Sequence, residues 1–230
     1  SSDLLGRDWT HEFVSFHLNS EQAAKARAGI ELLAGDGNPV RYQLVSEGGA
    51  SAPSICFQTD LPKYSTPTFR FGNRRAAPAS DLRVEEAADM VTISNLRTGL
   101  RLRRKLAPGQ GPIAGVRLGS GLWTGESTFD GASSGMSKYE VVIKEKGPVI
   151  AVVECRAAFA DGGEWRLVFR IYHDEPVILV DESFDAPGGG KLSVALGGAG
   201  FRPSHMFHRN ADVSNVSVMS DPIASYHLEP

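Results

Sequence analysis

Histidines and carboxylates are the residues of this chain whose side chains could perform acid–base chemistry. His205 and His208 lie three residues apart, and Glu126 and Asp130 lie in a segment rich in small residues, which is interpreted as a loop. Imidazole and carboxyl groups are the usual proton donors and acceptors at catalytic sites. These four residues are therefore weak candidates for the general acid and base of a lyase or hydrolase, provided that the fold brings them into one cleft.

Trp123 is the first candidate for contact with a carbohydrate. A flat aromatic ring suits the apolar face of a pyranose, while polar neighbours can bind its hydroxyl groups. Trp123 lies between Gly121 and Gly125, and glycines allow a ligand to approach the backbone closely. Trp9 and the nearby His11 are the second choice for substrate binding.

The sequence predicts no metal or organic cofactor. The motifs HExxH, GxGxxG and GxxxxGK[ST] are missing, and with them the usual support for a zinc protease, a dinucleotide site or a nucleotide phosphate loop. Two cysteines without a CxxC spacing give no support for structural zinc. A structural calcium ion in the loops is left open as an option, although no Asp-rich loop requires one.

Charge and hydropathy argue against two classes of partner. The chain has 24 Lys and Arg against 27 Asp and Glu, a formal net charge of -3, and no long basic run. Nucleic-acid-binding proteins typically carry a basic patch or stripe, so no nucleic-acid partner is expected. No apolar stretch approaches the ~20 residues of a membrane-spanning helix, so no membrane span is expected.

The hydrophobic pattern predicts an all-β fold. Apolar residues alternate with period two over about a dozen segments separated by turns, as in an antiparallel sandwich. One helix is predicted, over residues 20–33 or only 20–27, because Ser20 can cap a run of helix formers. Trp165 opens a long alternating strand and is expected in the core. We therefore predict a large antiparallel β-sandwich over residues 1–200, with at most one short helix and an irregular tail over 201–230.

Charged residues within and between the predicted strands receive structural interpretations. Asp181 and Glu182 are neighbours within a strand and must point to opposite faces. One of them is expected to be buried and paired with an arginine. The charged segment from His173 to Pro176 is interpreted as a solvated turn between two long strands.

The two cysteines bear on the compartment of the protein. Cys56 and Cys155 each lie in an apolar, strand-like stretch, which predicts two buried free thiols. A single disulfide between two strands is the alternative and would suit an exported protein. The first residue is Ser1 rather than Met, as in a processed or trimmed chain. The expected localisation is secreted or periplasmic.

Four segments in the second half of the chain carry a resemblance to a known family. They are GPIAGVRL at 111–118, GLWTG at 121–125, EKGPV at 145–149 and GEWRLVFRIY at 163–172. Together they resemble the N-terminal, galactose-mutarotase-like β-sandwich domains of large bacterial carbohydrate-active enzymes, notably the exo-rhamnogalacturonan-lyase-like proteins. The resemblance implies a super-sandwich packed against a catalytic α/α barrel that supplies the acid and base. It transfers no catalytic residue, because none of the four segments is a catalytic motif.

The leading functional hypothesis is a non-catalytic or accessory sandwich module of a polysaccharide-degrading enzyme, which contributes scaffold and glycan contacts. Its expected partners are a polysaccharide or oligosaccharide and an α/α-barrel domain of the same parent protein. Two alternatives remain. One is a self-sufficient polysaccharide lyase or glycoside hydrolase with a His/carboxylate site, and the other is a structural interaction domain without a sugar site.

Overall fold

A computed structural model describes residues 6–45, 53–72, 79–131 and 135–197, together with the backbone of 205–210 and 213–218. Antiparallel strands dominate this part of the chain, with a single short helix, so the predicted all-β, sandwich-like fold is confirmed. The helix is α1 (Ser20–Arg27). The strands in chain order are β1 (Trp9–His17), β2 (Leu32–Ala34), β3 (Pro39–Val40), β4 (Tyr42–Val45), β5 (Ser54–Leu61), β6 (Phe69–Phe71), β7 (Arg83–Glu86), β8 (Met90–Ser94), β9 (Gly99–Arg103), β10 (Ile113–Arg117), β11 (Trp123–Thr124), β12 (Glu126–Gly131), β13 (Met136–Lys146), β14 (Ile150–Phe159), β15 (Glu164–Tyr172), β16 (Ile178–Phe184), β17 (Gly190–Ala195), β18 (His205–Asn210) and β19 (Val213–Val218).

The main core lies between two sheets. One is the five-stranded sheet β11-β10-β9-β8-β7, and the other is the four-stranded sheet β13-β14-β15-β16. Alternate residues of their strands point inward, among them the fully buried Ile93, Leu102, Val153 and Phe169. Each such side chain contributes about 1.5–3 kcal/mol to folding through the hydrophobic effect. The period-two pattern in the sequence therefore arises because alternate side chains of each strand face this core.

Aromatic side chains close one end of the main core. β12 pairs with β17 and contributes Phe129, whose ring stacks on that of Trp165 with centroids 4.4 Å apart. Trp165 is only 2% exposed, so its predicted place in the core is confirmed. Its indole N–H donates a hydrogen bond to Glu182 Oε1 at 2.7 Å, which satisfies the one polar group of the ring.

β14 and β15 are also covered on their other face. The three-stranded sheet β1-β5-β4 packs there, with Cys56 in the same cluster as Val152 and Val168. Cys155 belongs to the main core on the opposite face of β14, and both cysteines are free. The prediction of buried free thiols is confirmed and the disulfide alternative is wrong, because a sheet separates the two side chains.

The Gln43 side chain fastens the three-stranded sheet to the turn between β13 and β14. Its Oε1 accepts hydrogen bonds from the backbone N–H groups of Val149 at 3.1 Å and Ile150 at 3.0 Å. Its Nε2 donates to the Glu145 carboxylate at 3.0 Å. A Cβ added to Gly147 would lie 2.0 Å from Gln43 Cδ, so the turn has no room for a larger residue at this position.

α1 is short because both of its ends are well defined. Asn19 forms a capping box with Gln22 at the N-terminus. Ala23 and Ala26 are buried in a cluster with Phe57 of β5. Gly29 adopts a φ of 67° just beyond the last turn, a conformation that stops a helix. The prediction of a helix over 20–27 is confirmed, and the longer version to residue 33 is wrong.

Residues 205–218 contain a second difference from the sequence prediction. β18 and β19 pair antiparallel, from His205 opposite Val218 to Asn210 opposite Val213. The sequence predicts an irregular tail here because the apolar alternation fades. Backbone hydrogen bonds can join two strands without an alternating apolar pattern, which explains why the pattern did not reveal them.

Glu154 is a buried charge on the face of β14 opposite the main core. Its side chain is 1% exposed and lies within 2.6 Å of Arg166 Nη2, 2.6 Å of Arg156 Nε and 3.3 Å of Lys144 Nζ. The Arg156 contact is close but poorly aligned as a hydrogen bond, so its contribution is mainly electrostatic. Burial by itself raises the pKa of Glu154, but Arg166, Lys144 and Arg156 outweigh burial and hold that pKa below its ordinary value.

β16 is the edge strand of the four-stranded sheet, and its side chains are largely exposed. Leu179 and Val180 are 45% and 47% exposed. Asp181 and Glu182 are exposed as well, and Asp181 forms an ion pair with Arg170. The expectation that Asp181 or Glu182 is buried is wrong, because an edge strand leaves both of its faces partly open to solvent.

Candidate functional site

Trp123 lies on the outer face of the five-stranded sheet. It is paired with Arg117 across β10 and β11, and Arg117 is in turn opposite Gly99 on β9. Leu100 and Leu102 of β9 point into the main core, so Gly99 and Arg101 face outward with Trp123. The sheet therefore presents the indole on the surface that faces away from the core.

Two glycines create the space that the indole occupies. A Cβ on Gly99 would lie 3.0 Å from Trp123 Cη2, and one on Gly115 would lie 3.5 Å from Trp123 Cε3. The Arg101 guanidinium carbon lies 4.0 Å from the centroid of the Trp123 ring, within cation–π range. The ring is thus held against the sheet and beside a cation, and it is neither buried nor fully exposed.

The remaining surface of the indole borders a depression, which we call the Trp123 depression. Its volume is about 480 Å³, and it is lined by Ala114, Gly115, Trp123, Thr124, Gly125, Glu126, Ala195 and Gly197. Glu126 accepts a hydrogen bond from Arg103 at 2.9 Å while its side chain stays 67% exposed. An aromatic ring, an exposed carboxylate and small residues therefore meet at one place.

The other carboxylate candidate, Asp130, does not line this depression. Asp130 is exposed and lies four residues beyond Glu126 on β12, which places their Cα atoms about 13 Å apart along the strand. Paired catalytic carboxyl groups of glycosidases are about 5–9.5 Å apart. His205 and His208 lie on β18, and their side chains fall outside the described part of the structure.

A second cavity, the His cleft, lies where β1, β3 and β5 meet the turn between β15 and β16. Its volume is about 280 Å³, and it is lined by His11, Pro39, Val40, Arg41, Gln58, Thr59, Asp60, Val149, His173 and Asp174. It shares no lining residue with the Trp123 depression. His11 thus lines a cavity, but not the cavity that Trp123 lines.

His173 in the His cleft is paired with a carboxylate. Its Nδ1 bonds to Asp81 Oδ1, and the Asp81 carboxylate also accepts hydrogen bonds from the N–H groups of Leu96 at 3.1 Å and Asp174 at 3.2 Å. Burial alone raises the pKa of Asp81, but these N–H groups and the His173 ring bring it below its ordinary value. The carboxylate therefore stays ionised, and its bond to Nδ1 fixes the orientation of the His173 ring.

The turn that carries His173 is fixed by side chains from the five-stranded sheet. Asn95, which is 3% exposed, donates from Nδ2 to the carbonyl groups of Tyr172 and Glu175, at 2.7 Å each. Arg97 Nε lies 2.8 Å from Asp174 Oδ1. The predicted turn is confirmed, but residues 173–175 are only partly exposed, and the side chains of Asn95 and Arg97 bind its backbone and the Asp174 carboxylate.

His11 and Arg41 complete the polar lining of the His cleft. His11 adopts a φ of 59° at an irregularity in the β1–β5 pairing, and its N–H donates to Asp60 Oδ1 at 2.9 Å. Positive φ in a non-glycine residue costs free energy and persists where surrounding contacts hold it. Arg41 donates to the Ala79 carbonyl, and burial lowers the pKa of its guanidinium.

Sequence reasoning missed the His173–Asp81 pair because its members are 92 residues apart and neither lies in a motif. The acidic composition of the 173–176 turn was the available signal.

Trp9, the remaining candidate for substrate binding, is 37% exposed at the start of β1 and lines neither the Trp123 depression nor the His cleft.

Among the described residues, no group of three or more His, Cys, Asp and Glu side chains is arranged to hold a metal ion. In the same residues, no helix combines the length and the apolar character needed to cross a bilayer.

No protein-family model matches the sequence, and no curated protein matches it significantly.

Proposed function

We propose that the chain is an accessory, non-catalytic β-sandwich module of a polysaccharide-degrading enzyme, and that it contacts glycan at the Trp123 depression. The observation that carries this proposal is the placement of Trp123. Its indole is held by Gly99, Gly115 and Arg101 and borders a depression rather than the core. A surface aromatic ring that is fixed before binding loses little conformational freedom on contact with a sugar.

The neighbours of Trp123 supply the polar half of such a contact. Glu126 keeps most of its carboxylate surface exposed although Arg103 orients it. Gly115 and Gly125 leave backbone groups accessible beside the ring. Hydroxyl groups of a pyranose can bond to these acceptors and donors while its C–H face meets the indole.

The scaffold half of the proposal rests on the layered fold. β14 and β15 are covered on both faces, which gives a rigid platform that does not depend on the depression for its stability. The resemblance to domains that precede an α/α barrel supplies the proposed partner, a catalytic domain of the same parent protein. Export to the periplasm or medium, where such enzymes meet polysaccharide, completes the proposal.

Binding to a panel of neutral and acidic polysaccharides tests the contact. We expect the Trp123→Ala variant to lose affinity about tenfold, which corresponds to about 1.4 kcal/mol. Leu122→Ala is the matched control, because Leu122 is 55% exposed next to Trp123 and does not line the depression. Equal affinities of the two variants, or no binding by the unaltered chain, would overturn the glycan contact.

Mass spectrometry of soluble products, after incubation of the folded chain with the same panel, tests the non-catalytic role. No released oligosaccharide is expected. Released product would make the chain a self-sufficient lyase or hydrolase, and a product one water lighter than the hydrolysis product would identify elimination. If the chain folds but neither binds a polysaccharide nor releases a product, the remaining hypothesis is a structural interaction domain without a sugar site.

A further inference from the structure

A second hydrophobic cluster, built from the sheet β1-β5-β4, the helix α1 and the small sheet β3-β2-β6, ends at a cavity. We call it the Phe16 cavity, and four phenylalanines line it: Phe16, Phe57, Phe69 and Phe71. Its volume is about 530 Å³. It is larger than the Trp123 depression and the His cleft, and it shares no lining residue with either.

The floor of the Phe16 cavity belongs to the hydrophobic cluster. Leu32, Ile55 and Phe57 line it although they are only 2%, 3% and 1% exposed. Of the apolar lining residues, Phe16 alone is exposed, at 46%, and the others are buried or half-buried. A stable protein interface needs about 800 Å² of surface on each partner, which one exposed apolar side chain does not provide. A cavity with a buried apolar floor is instead suited to a small molecule.

Aromatic rings form the walls of the Phe16 cavity. The Phe57 ring has its centroid 5.8 Å from that of Phe16, with the planes 19° apart, and 4.7 Å from that of Phe69, with the planes 61° apart. Aromatic rings attract one another in stacked and edge-to-face arrangements, beyond the gain from buried area. Because about half of Phe16 is exposed, its ring has surface for a further ring. A flat aromatic ligand would therefore extend this series of ring contacts, which a saturated ring cannot do.

The polar side chains that α1 and its N-cap contribute to the cavity bind one another. Asn19 and Gln22 form the capping box, in which each side chain bonds to the backbone N–H of the other residue. Glu21 forms an ion pair with Lys25 at 2.7 Å. A ligand rich in hydroxyl groups would leave much of its hydrogen-bonding capacity unmet here, which is costly away from water.

Two basic residues also line the Phe16 cavity. His17 Nδ1 bonds to the Ser54 hydroxyl at 2.8 Å. Arg70 is exposed, and salt and water screen exposed charges. The ring system of the ligand, rather than its charge, should therefore govern binding.

We propose that the Phe16 cavity binds a small molecule with a flat aromatic ring system, which packs against Phe16 and the phenylalanines beside it. Binding depends most on Phe16, because its ring supplies the exposed aromatic surface. The site is independent of the glycan contact proposed for Trp123, since the two cavities have no lining residue in common.

Fluorescence titration of the full chain with N-phenylnaphthylamine, an uncharged aromatic probe that brightens in apolar surroundings, tests the proposal. We expect saturable binding to the folded chain, with folding checked by circular dichroism. Naphthol and decahydronaphthol, which share a carbon skeleton but differ in aromaticity, then compete with the probe. Naphthol should displace the probe at about fivefold lower concentration, because only a flat aromatic ring gains the ring contacts.

Substitutions at matched positions make the test specific. Phe16→Ala is expected to weaken probe binding about tenfold. Leu179→Ala is the matched control, because Leu179 is an apolar strand residue that is 45% exposed and lines none of the three cavities. Trp123→Ala should also leave probe binding unchanged, so this proposal and the glycan contact can fail separately.

Three results would overturn the proposal. The first is equal displacement of the probe by naphthol and decahydronaphthol. The second is equal affinity of Phe16→Ala and Leu179→Ala for the probe. The third is the absence of saturable binding, and a dimer in sedimentation would then assign the cavity to a second copy of the chain.

Discussion

Replacement of Glu154 by glutamine is the perturbation whose effect the structure specifies best. The side chain is 1% exposed, and its two oxygens lie within 2.6–3.3 Å of nitrogens on Arg156, Arg166 and Lys144. Glutamine keeps the volume and removes the charge, so the three cations would remain together without the anion between them. The Glu154→Gln substitution should therefore lower the free energy of unfolding at neutral pH.

The expected loss lies between two limits. Removal of one partner from a buried ion pair costs about 3–5 kcal/mol, whereas an exposed pair is worth about 0–1 kcal/mol. Glu154 itself is buried, but its three partners are 41–46% exposed, and water screens part of their repulsion. We expect a loss of about 2–3 kcal/mol, or a decrease in Tm of about 4–12 °C for a chain of this size.

The pH dependence provides a second measurement. Because the pKa of Glu154 is lowered in the folded state, the carboxylate stabilises the protein above its unfolded-state pKa of about 4.3. This stabilisation disappears as the pH falls through the lower, folded-state value. The difference between the unaltered chain and Glu154→Gln should therefore be full at neutral pH and shrink on acidification.

Urea unfolding followed by circular dichroism gives these free energies. Glu164→Gln is the matched control, because Glu164 contacts the same Arg156 at 3.8 Å but is 54% exposed, and it should cost less than about 1 kcal/mol. Equal losses in the two variants would refute the reasoning from burial. A Glu154→Gln difference that stays constant on acidification would refute the reasoning from charge.

Three further predictions concern packing, capping and thiol reactivity. Gly147→Ala should destabilise the protein by about 1–3 kcal/mol, because its Cβ would lie 2.0 Å from Cδ of Gln43. Gly119→Ala is the control in thermal unfolding, because the space around Gly119 is open. Similar Tm values for the two variants would contradict the clash. Asn19→Ala should cost about 1 kcal/mol through loss of the capping box, measured by urea unfolding, and an unchanged midpoint would show that the cap contributes nothing. Burial raises the pKa of both Cys56 and Cys155 to about 12. Iodoacetamide should therefore label neither thiol in the folded chain, and both thiols in denaturant without reductant. Rapid labelling of the folded chain would contradict their burial.

The strands that border the main core could be predicted because they alternate cleanly. In β8 (Met90–Ser94), Val91 and Ile93 point into the core and their neighbours do not, which is the alternation that predicts a strand. β12 was interpreted as a loop, because Ser127 occupies one of its buried positions. Its hydroxyl accepts a hydrogen bond from the N–H of Ile113 at 2.8 Å, and no hydrophobicity pattern marks such a residue as internal.

The site was predictable only where a single residue carries it. Trp123 could be singled out from its flanking glycines, but Gly99 and Arg101, which hold the ring, come from another strand. The His cleft was not predictable, because Asp81 and His173 are distant in sequence and meet only after the sheets have packed. Pairings of this kind depend on tertiary structure, which local spacing does not encode.

Among the described residues, no strand pairs with the outer edge of β16, and this has a consequence for the behaviour of the protein at high concentration. Unpaired strand edges with exposed apolar residues promote aggregation between chains, and Leu179 and Val180 are such exposed apolar residues on β16. Asp181 and Glu182 follow directly and are exposed, so stacked copies in parallel register would bring like charges together. We therefore expect these two carboxylates to oppose edge-to-edge association of β16 between chains. Replacement of both carboxylates by their amides should therefore decrease solubility at neutral pH, even where the fold itself survives.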